Sequence, residues 1–245
     1  DDLARYPRTL EGDIALCRDL GVDVVFTPSA AEIYPEPPEC AIDVGRLADH
    51  LCGRFRPGHF RGVATVVLKL FQIVQPHRAY FGEKDAQQLA IVKRLVADFN
   101  VPVEIVEVPT VREPDGLAMS SRNRHLAPEQ RASAACLYQA LIEARRLISS
   151  GERDLAAIRS AAAVRIPESA TVRLEYLEIV DPATMQPVTA IAGAVRVAAA
   201  LWVGSTRLID NVLVGDPAPP RIRVASAADA PALARLINDA FVVEA

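Results

Sequence analysis

The chain has 245 residues, and 27 basic against 31 acidic side chains give it a formal net charge of −4. A hydrophobic content of 51% and a charged content of 24% are typical of a globular protein and exclude a disordered tail or an integral membrane protein. The mild acidity also excludes a general electrostatic attraction to nucleic acid or to anionic membranes. Any anion-binding site must therefore be built from locally grouped cations.

The ends, the apolar runs and the cysteines bear on where the protein acts. The chain opens on Asp1-Asp2-Leu3, which resembles neither a translation start nor a signal peptide, so we interpret it as a fragment or a processed piece. Its longest apolar runs are broken by Lys69 and Arg196, and we expect no membrane span. The 4 cysteines form no CxxC pair, which favours reduced thiols in the cytoplasm over a zinc site or a disulfide framework.

Helix and strand patterns alternate from Thr9 to about Thr110. The spacing of apolar residues predicts helices over residues 13–20, 60–74 and 85–99, and strands over residues 22–26, 78–81 and 103–108, the first strand being buried. Such alternation is typical of βαβ units with a parallel sheet, whose ligands bind at the carboxyl ends of the strands. We therefore look for chemistry in the loops after Phe81 and Val108.

After residue 110 the pattern changes. A polar loop over residues 111–126 precedes a long helix from residue 128 to residue 151 and another over residues 154–165. Three strand patterns follow, at residues 174–180, 195–203 and 206–214, which predict an α+β unit with an antiparallel sheet. We predict one domain over residues 1–110 and a second over residues 111–214, with a linker and the start of another domain over residues 215–245.

The first candidate site is Gly82-Glu83-Lys84-Asp85, at a predicted strand-to-helix junction. A glycine lets a ligand approach the backbone, a helix N-terminus offers free N–H groups, and a lysine adds a point charge, which together suit a phosphate. The alternative is a simple turn in which Asp85 caps the helix and Lys84 is solvated. The spacing alone leaves both interpretations open.

The second candidate is the run from Met119 to Arg124, where Ser120 and Ser121 precede Arg122. Hydroxyl donors beside guanidinium groups can bind a polyphosphate, although an ordinary polar surface loop has the same composition. Both candidate loops follow strands of one predicted parallel sheet. Their shared edge favours a nucleotide site.

Two weaker candidates remain. The run from Arg56 to Gly62 combines a rigid turn with one imidazole, His59, and two guanidinium groups, although a single histidine at such a place is more often a hydrogen-bonding partner at the helix entry. Glu11 and Asp13 lie near a helix start, where they either complement the helix dipole or hold a magnesium ion whose other ligands are phosphates. We interpret the remaining histidines as surface residues, namely His50, His77 and His125.

Five motifs in order resemble those of the pantoate–β-alanine ligases, the pantothenate synthetase family. They are residues 6–9, residues 56–62, residues 81–85 with Gln87 and Gln88, residues 115–123, and residues 207–211. The resemblance covers Asp1 to about Val214. It implies an α/β fold in which a partial Rossmann-like nucleotidyltransferase domain with a parallel sheet precedes a smaller α+β domain.

The resemblance also implies an activity. Such enzymes condense (R)-pantoate with β-alanine, using ATP, through a pantoyl adenylate, and release pyrophosphate and AMP. In this chain Gly82, Glu83, Lys84 and Asp85 would bind ATP, with Val111, Met119, Ser120, Ser121 and Arg122 completing its site. Lys84, Ser120 and Arg122 would be the catalytic residues, Gln88 would bind pantoate, and Asp13 would bind Mg²⁺. The resemblance further implies a cytoplasmic homodimer.

The chain also departs from the family. It lacks the His-x-Gly-His segment and the Asn-Pro-x-Gln-Phe segment, Gly12 stands where a second acid is frequent, and Ala86 replaces an aromatic residue. We therefore expect little or no turnover from these residues alone. Residues 221–245 resemble the first strand and helix of a GNAT-type N-acetyltransferase.

Two other interpretations stay open at this point. The chain is alternatively a non-catalytic remnant that serves dimerisation or tethers an acetyltransferase, with the apolar residues 195–203 as an interface or as plain core. A different adenylyl- or cytidylyltransferase is the third interpretation, and it requires a substrate glutamine other than Gln88.

Overall fold

The computed structural model describes residues 9–167 and 169–215. Their helices are α1 (Leu10–Asp19), α2 (Ala30–Ile33), α3 (Leu51–Phe55), α4 (His59–Val74), α5 (Ala86–Asp98), α6 (Pro128–Ala134), α7 (Cys136–Ser149) and α8 (Leu155–Ala163). Their strands are β1 (Arg78–Gly82), β2 (Glu104–Val108), β3 (Val172–Val180), β4 (Val195–Val203) and β5 (Thr206–Val214). The motif residues 6–8 and the acetyltransferase-like tail lie outside the described residues.

The first half contains the predicted parallel pair. Strands β1 and β2 run parallel, from Arg78 opposite Glu104 to Gly82 opposite Val108, and α5 is the crossover between them. The helices α4 and α5 cover this pair with an apolar cluster that includes Phe71 and Val92. Because the strands are parallel, the loops after Gly82 and Val108 leave the same edge, as the sequence predicted.

The predicted buried strand at residues 22–26 is wrong. Among the described residues these form no ladder with any strand, and Val24 and Phe26 are 78% and 50% exposed. An apolar run becomes a strand only where another strand accepts its N–H and C=O groups, and the described chain places none beside it. The preceding helix also differs, because α1 starts at Leu10 rather than Asp13 and buries no residue.

The second half forms the predicted antiparallel sheet. Strands β3, β4 and β5 are neighbours in that order, and α7 and α8 cover one face through residues such as Leu141 and Ile158. The single helix predicted over residues 128–151 is divided into α6 and α7 at Ala135, whose backbone angles of −61° and −20° remain helical. The division is therefore a local tightening of the helix and not a loop.

The other face of this sheet packs against the first half. A second apolar cluster joins Phe60 and Ile91 of α4 and α5 to Tyr176 of β3 and Ala198 of β4. Eight of the nine β4 residues are buried, the exception being the half-buried Trp202. The apolar run at residues 195–203 is thus core, covered within the chain, and not an exposed interface.

A search of the described residues for a helix long and apolar enough to cross a membrane finds none.

Candidate functional site

A cleft opens where the β1–α5 junction faces strand β5. Its lining joins the α3–α4 region, the start of α5, the loop after β2 and the second sheet. The charged groups in this lining are Arg56, Lys84, Arg122, Arg196 and Arg207, against Asp85 and Asp210. These five cations outnumber the two carboxylates, so the lining of the cleft carries an excess of positive charge. Such a lining attracts anions within a chain that is acidic overall.

The β1–α5 junction places Lys84 in this cleft. Residues Glu83–Asp85 form a single tight turn, and the Lys84 side chain is only 18% exposed, so it is not the solvated lysine of the alternative interpretation. Its ammonium lies 3.9 Å from a carboxylate oxygen of Asp85, and that carboxylate makes no capping hydrogen bond to α5. Both side chains are therefore directed to the cleft and not used to start the helix.

Gly82 precedes this turn in an extended conformation, with φ −72° and ψ 133°. A Cβ at this position would meet nothing within 4 Å. Neither the backbone nor the neighbouring atoms require glycine here, so the close approach of a ligand stays a prediction. Gln88, near the start of α5, is half-buried and lines the cleft. Its neighbour Gln87 also belongs to the lining, and its amide nitrogen donates to the Leu47 and His50 carbonyls.

The second candidate loop enters the cleft through Ser120 and Arg122. The Ser120 hydroxyl accepts a hydrogen bond from the Arg122 backbone N–H at 3.3 Å, and Asn123 donates to the Ala118 carbonyl at 3.1 Å. These bonds fold residues 120–125 into a tight helical turn. The serine and the arginine that the motif predicted therefore face the same space as Lys84 and Gln88.

Other predicted residues lie elsewhere. Asp13, Met119 and Ser121 line a neighbouring depression that shares Ser120 and Asn123 with the cleft. Val111 is 61% exposed and lines neither, although its carbonyl accepts from the Met119 backbone N–H at 2.9 Å. The Glu83 backbone carbonyl accepts a hydrogen bond from the Asn211 amide nitrogen at 2.9 Å.

Asp13 does not belong to a cluster of metal-binding side chains among the described residues. It is exposed, its carboxylate accepts from the Thr9 hydroxyl at 3.3 Å, and no group of three or more potential metal ligands occurs among the described residues. A lone exposed carboxylate does not supply the oxygen shell of Mg²⁺, which would have to come from phosphates and water. The described residues therefore do not fit a resident magnesium ion.

Arg56 and His59 line the cleft from the α3–α4 region. An Arg56 guanidinium nitrogen lies 3.1 Å from His59 Nε2, and because arginine only donates, Nε2 must accept and the imidazole proton sits on Nδ1. Burial, followed by the charges of Arg56 and Arg207, lowers the pKa of His59. His59 is thus a neutral hydrogen-bond donor. His77 and His125 are exposed as predicted, and His50 is half-buried.

Arg207 enters from β5 with a buried partner. Its Nε donates to the Glu175 carboxylate at 2.9 Å, and Glu175 also accepts from the Trp202 indole at 2.9 Å. Burial opposes ionisation of Glu175, but the hydrogen bonds from Arg207 and Trp202 outweigh it and hold the pKa below its usual value. The same guanidinium lies 3.6 Å from the Cys52 sulfur. This ion pair fixes the cleft wall on the side of the second sheet.

Sequence reasoning missed several cleft residues. Cys52, Tyr176 and Arg196 line the cleft, and the Cys52 thiol lies 3.3 Å from the Tyr176 hydroxyl, 124 positions away. No local motif marks Cys52 or Tyr176. Arg196 did carry a signal, because an isolated arginine in an otherwise apolar strand needs a buried partner.

Comparison with known proteins gives a family match over residues 1–213, to the model described as pantoate-beta-alanine ligase. The "Bifunctional pantoate ligase/cytidylate kinase" of Synechococcus elongatus is 53% identical over 215 residues, which are 86% of this chain and 41% of that protein. The chain therefore spans about two fifths of the length of that relative.

Solved structures agree with this match. The crystal structure of pantothenate synthetase from Thermus thermophilus superimposes with a TM-score of 0.84 at 46% identity, over 88% of this chain and 78% of that one. The pantoate-beta-alanine ligase of Francisella tularensis, solved with "Beta-gamma ATP and Beta-alanine", gives a TM-score of 0.69 at 36% identity, over 86% of this chain and 72% of that one. The α/β fold described above is the fold of these enzymes.

Proposed function

This chain belongs to the pantoate–β-alanine ligase family, and we propose that it carries the ATP-dependent condensation of (R)-pantoate with β-alanine to pantothenate. The observation that supports this most is the cation-lined cleft, in which Lys84, Gln88, Ser120 and Arg122 meet although they come from different segments. An adenylating ligase needs such a cleft, because two anions, a carboxylate and a triphosphate, must be held together against their mutual repulsion.

In the first step a pantoate carboxylate oxygen attacks the α-phosphorus of ATP. The new O–P bond forms as the bond to the bridging oxygen breaks, and pyrophosphate leaves with that electron pair. Negative charge grows on the phosphate oxygens and the leaving group, where the Lys84 ammonium, the Arg122 guanidinium and the Ser120 hydroxyl would stabilise it. Gln88, one helical turn from Lys84, would orient pantoate through its amide.

In the second step the β-alanine amine attacks the acyl carbon of the pantoyl adenylate. The amide bond forms, the acyl–phosphate bond breaks, AMP leaves with the electron pair, and the amine loses a proton. Adenylation is needed because a free carboxylate is a poor acyl donor. The neutral His59, with Arg56, would contribute fixed donors to the cleft from the α3–α4 region.

We propose the remaining ATP contacts as the family resemblance implies them. Gly82, Glu83 and Asp85 would border the phosphates, and Val111, Met119 and Ser121 would border the adenine side. ATP would enter as its Mg²⁺ complex, the ion being held by the phosphates, with Asp13 as a single adjacent carboxylate and no resident magnesium. A cytoplasmic homodimer is part of the same proposal.

The decisive assay measures AMP release by the purified gene product that contains this chain. We expect AMP release that requires both pantoate and β-alanine, and pyrophosphate release that requires pantoate alone. Absence of this dependence would refute the ligase and leave the non-catalytic remnant.

A Gln88→Ala variant separates the ligase from a different nucleotidyltransferase. We expect the KM for pantoate to rise and the KM for ATP to stay unchanged, with the exposed Gln139→Ala as the matched control. Pantoate kinetics unchanged by the Gln88 substitution would favour the other transferase.

A further inference from the structure

Two adjacent residues of β5, Asp210 and Asn211, hold both candidate nucleotide loops. The Asp210 carboxylate accepts two hydrogen bonds from Arg112, at 2.6 and 3.0 Å, and Arg112 belongs to the loop after β2. The Asn211 amide nitrogen donates to the backbone carbonyls of Glu83 and Lys84, at 2.9 and 3.0 Å. One point of the second sheet thus fixes the two loops relative to each other.

The orientation of the Asn211 amide is determined by its neighbours. Its oxygen accepts a hydrogen bond from the Arg196 guanidinium. Arginine has only donors, so the amide oxygen must face Arg196 and the amide nitrogen must face the two carbonyls. Asn211 and Arg196 are both 6% exposed, so water does not compete for these bonds. The amide nitrogen therefore holds the turn through its two hydrogen bonds to the Glu83 and Lys84 carbonyls, and we call this pair of bonds the clamp.

The clamp lies directly beneath Lys84. Fixing the carbonyls of two consecutive residues fixes the peptide planes on both sides of the Lys84 Cα, and the largely buried side chain then leads into the cleft. A cation held in place before the reaction stabilises developing charge without an entropy cost at that moment. If the turn were loose, the Lys84 ammonium would stabilise the transition state less well, whereas substrate binding would weaken less.

We propose that Asn211 is a positioning residue for Lys84, and that Arg196 acts behind it by fixing the Asn211 amide. The proposal rests on the proposed function, because it assigns Lys84 to the phosphates. In this proposal the effect of Asn211 on the reaction passes through the backbone of residues 83 and 84, to whose carbonyls its amide nitrogen donates.

The test is a double-mutant cycle, read as steady-state pyrophosphate release at saturating pantoate and β-alanine with the ATP concentration varied. Asn211→Asp keeps the acceptor for Arg196 and removes the donor to the two carbonyls. We expect it to lower kcat by at least about tenfold while the KM for ATP changes by less than about threefold. In a Lys84→Met background the same substitution should change kcat by less than about twofold.

The control is Gln186→Ala. Gln186 also joins the two halves of the molecule by an amide-to-carbonyl hydrogen bond, to Arg46 at 2.7 Å, but it lies outside the cleft lining. Gln186→Ala alone should have the kcat of the unsubstituted protein, and Gln186→Ala combined with Lys84→Met should have the kcat of Lys84→Met. Equal losses from Asn211→Asp with and without Lys84 would overturn the proposal, because a purely structural residue acts independently of Lys84.

Hydrogen exchange gives a readout that does not depend on activity. The backbone amides of residues 83–86 should exchange faster in Asn211→Asp and at the unchanged rate in Gln186→Ala. Unchanged exchange in Asn211→Asp would overturn the clamp even in an active enzyme. If no protein shows ligase activity, the proposed function fails while the exchange rates still decide the clamp. Should Asn211→Asp not fold, Asn211→Ala combined with Arg196→Met removes the clamp without leaving a buried unpaired cation.

Discussion

At the scale of single residues, burial and specific partners define the environment of three cleft groups. Lys84 is largely buried, His59 accepts from Arg56 and is neutral, and Arg207 is paired with the buried Glu175. Charged groups in such surroundings keep defined positions, because the low dielectric strengthens each contact. We therefore expect substitution of Lys84 to change kcat, and substitution of His59 to change how the free energy of unfolding depends on pH.

Replacing Lys84 by Met should lower kcat for pyrophosphate release by about 10²-fold or more, since one fixed cation on a transferring phosphoryl group is removed. The thermal unfolding midpoint should stay close to that of the unsubstituted protein, because methionine fills the same volume. Lys93→Met is the matched control, as Lys93 makes a surface ion pair with Glu107 outside the cleft lining. Equal kcat in the two variants would contradict the assignment.

The lowered pKa of His59 predicts a pH effect on stability. The unfolded chain takes up a proton near the usual pKa of 6.5, whereas the folded protein resists it until a lower pH. Stability from this group is complete above pH 6.5 and is lost as the pH falls through that value toward the folded-state pKa. His59→Gln, neutral at every pH, should therefore lose less unfolding free energy than the unsubstituted protein between about pH 7.5 and about pH 5.5.

Urea unfolding at the two pH values measures this difference, with His125→Gln as an exposed control that should behave like the unsubstituted protein. A larger pH-dependent loss of unfolding free energy in His59→Gln would contradict a lowered pKa for His59.

At the scale of elements, the polar loop predicted over residues 111–126 contains a tight turn, which the structure forms between Arg112 and Ala118. Arg112 bridges to Ala118, and Arg112 also lies 3.9 Å above the Tyr138 ring. The turn closes at Gly116, which has φ +90° and whose Cβ, if present, would lie 2.2 Å from the Tyr138 ring. Only glycine fits this turn.

Gly116→Ala should lower the free energy of unfolding by about 2–4 kcal/mol, through backbone strain and overlap with Tyr138. Gly12→Ala is the matched control, because Gly12 lies in the exposed α1 with nothing within 4 Å of a Cβ. There alanine should leave stability unchanged or raise it by up to about 1 kcal/mol. Denaturant titration measures both, and a Gly116→Ala protein as stable as Gly12→Ala would exclude the tight turn.

At the scale of the whole molecule, the two halves share a core. The apolar cluster around Phe60 and Tyr176 contains residues from both sides of position 110, and the Cys52–Tyr176 and Asn211–Lys84 contacts cross the same boundary. The division into domains 1–110 and 111–214 stays a prediction. Elements that share a core are expected to unfold together.

We therefore expect coincident unfolding of the two halves. Trp202, the 1 tryptophan of the chain, reports on β4 by fluorescence, and Cys52 reports on α3 by thiol labelling located through peptide mass. The denaturant midpoints of the two signals should agree within error. Labelling of Cys52 well before the fluorescence change would show that the first half unfolds independently.

The sequence by itself determined most elements and the family. Apolar periodicity is a local property, so it located α4, α5 and the strands β1 to β5 to within a few residues, and motif order was enough to identify the ligase family. It also brought Lys84 and the Ser120–Arg122 loop to one sheet edge, because parallel strands end together.

Only the tertiary structure decided which partners those elements meet. Residues 22–26 carry a strand pattern, yet they remain exposed because no described strand lies beside them. Asn211 and the Lys84 carbonyl are 127 positions apart, and no local pattern connects them. Hydrogen bonds and burial depend on which surfaces come together in three dimensions, and this is why the clamp beneath Lys84 is visible only in the folded chain.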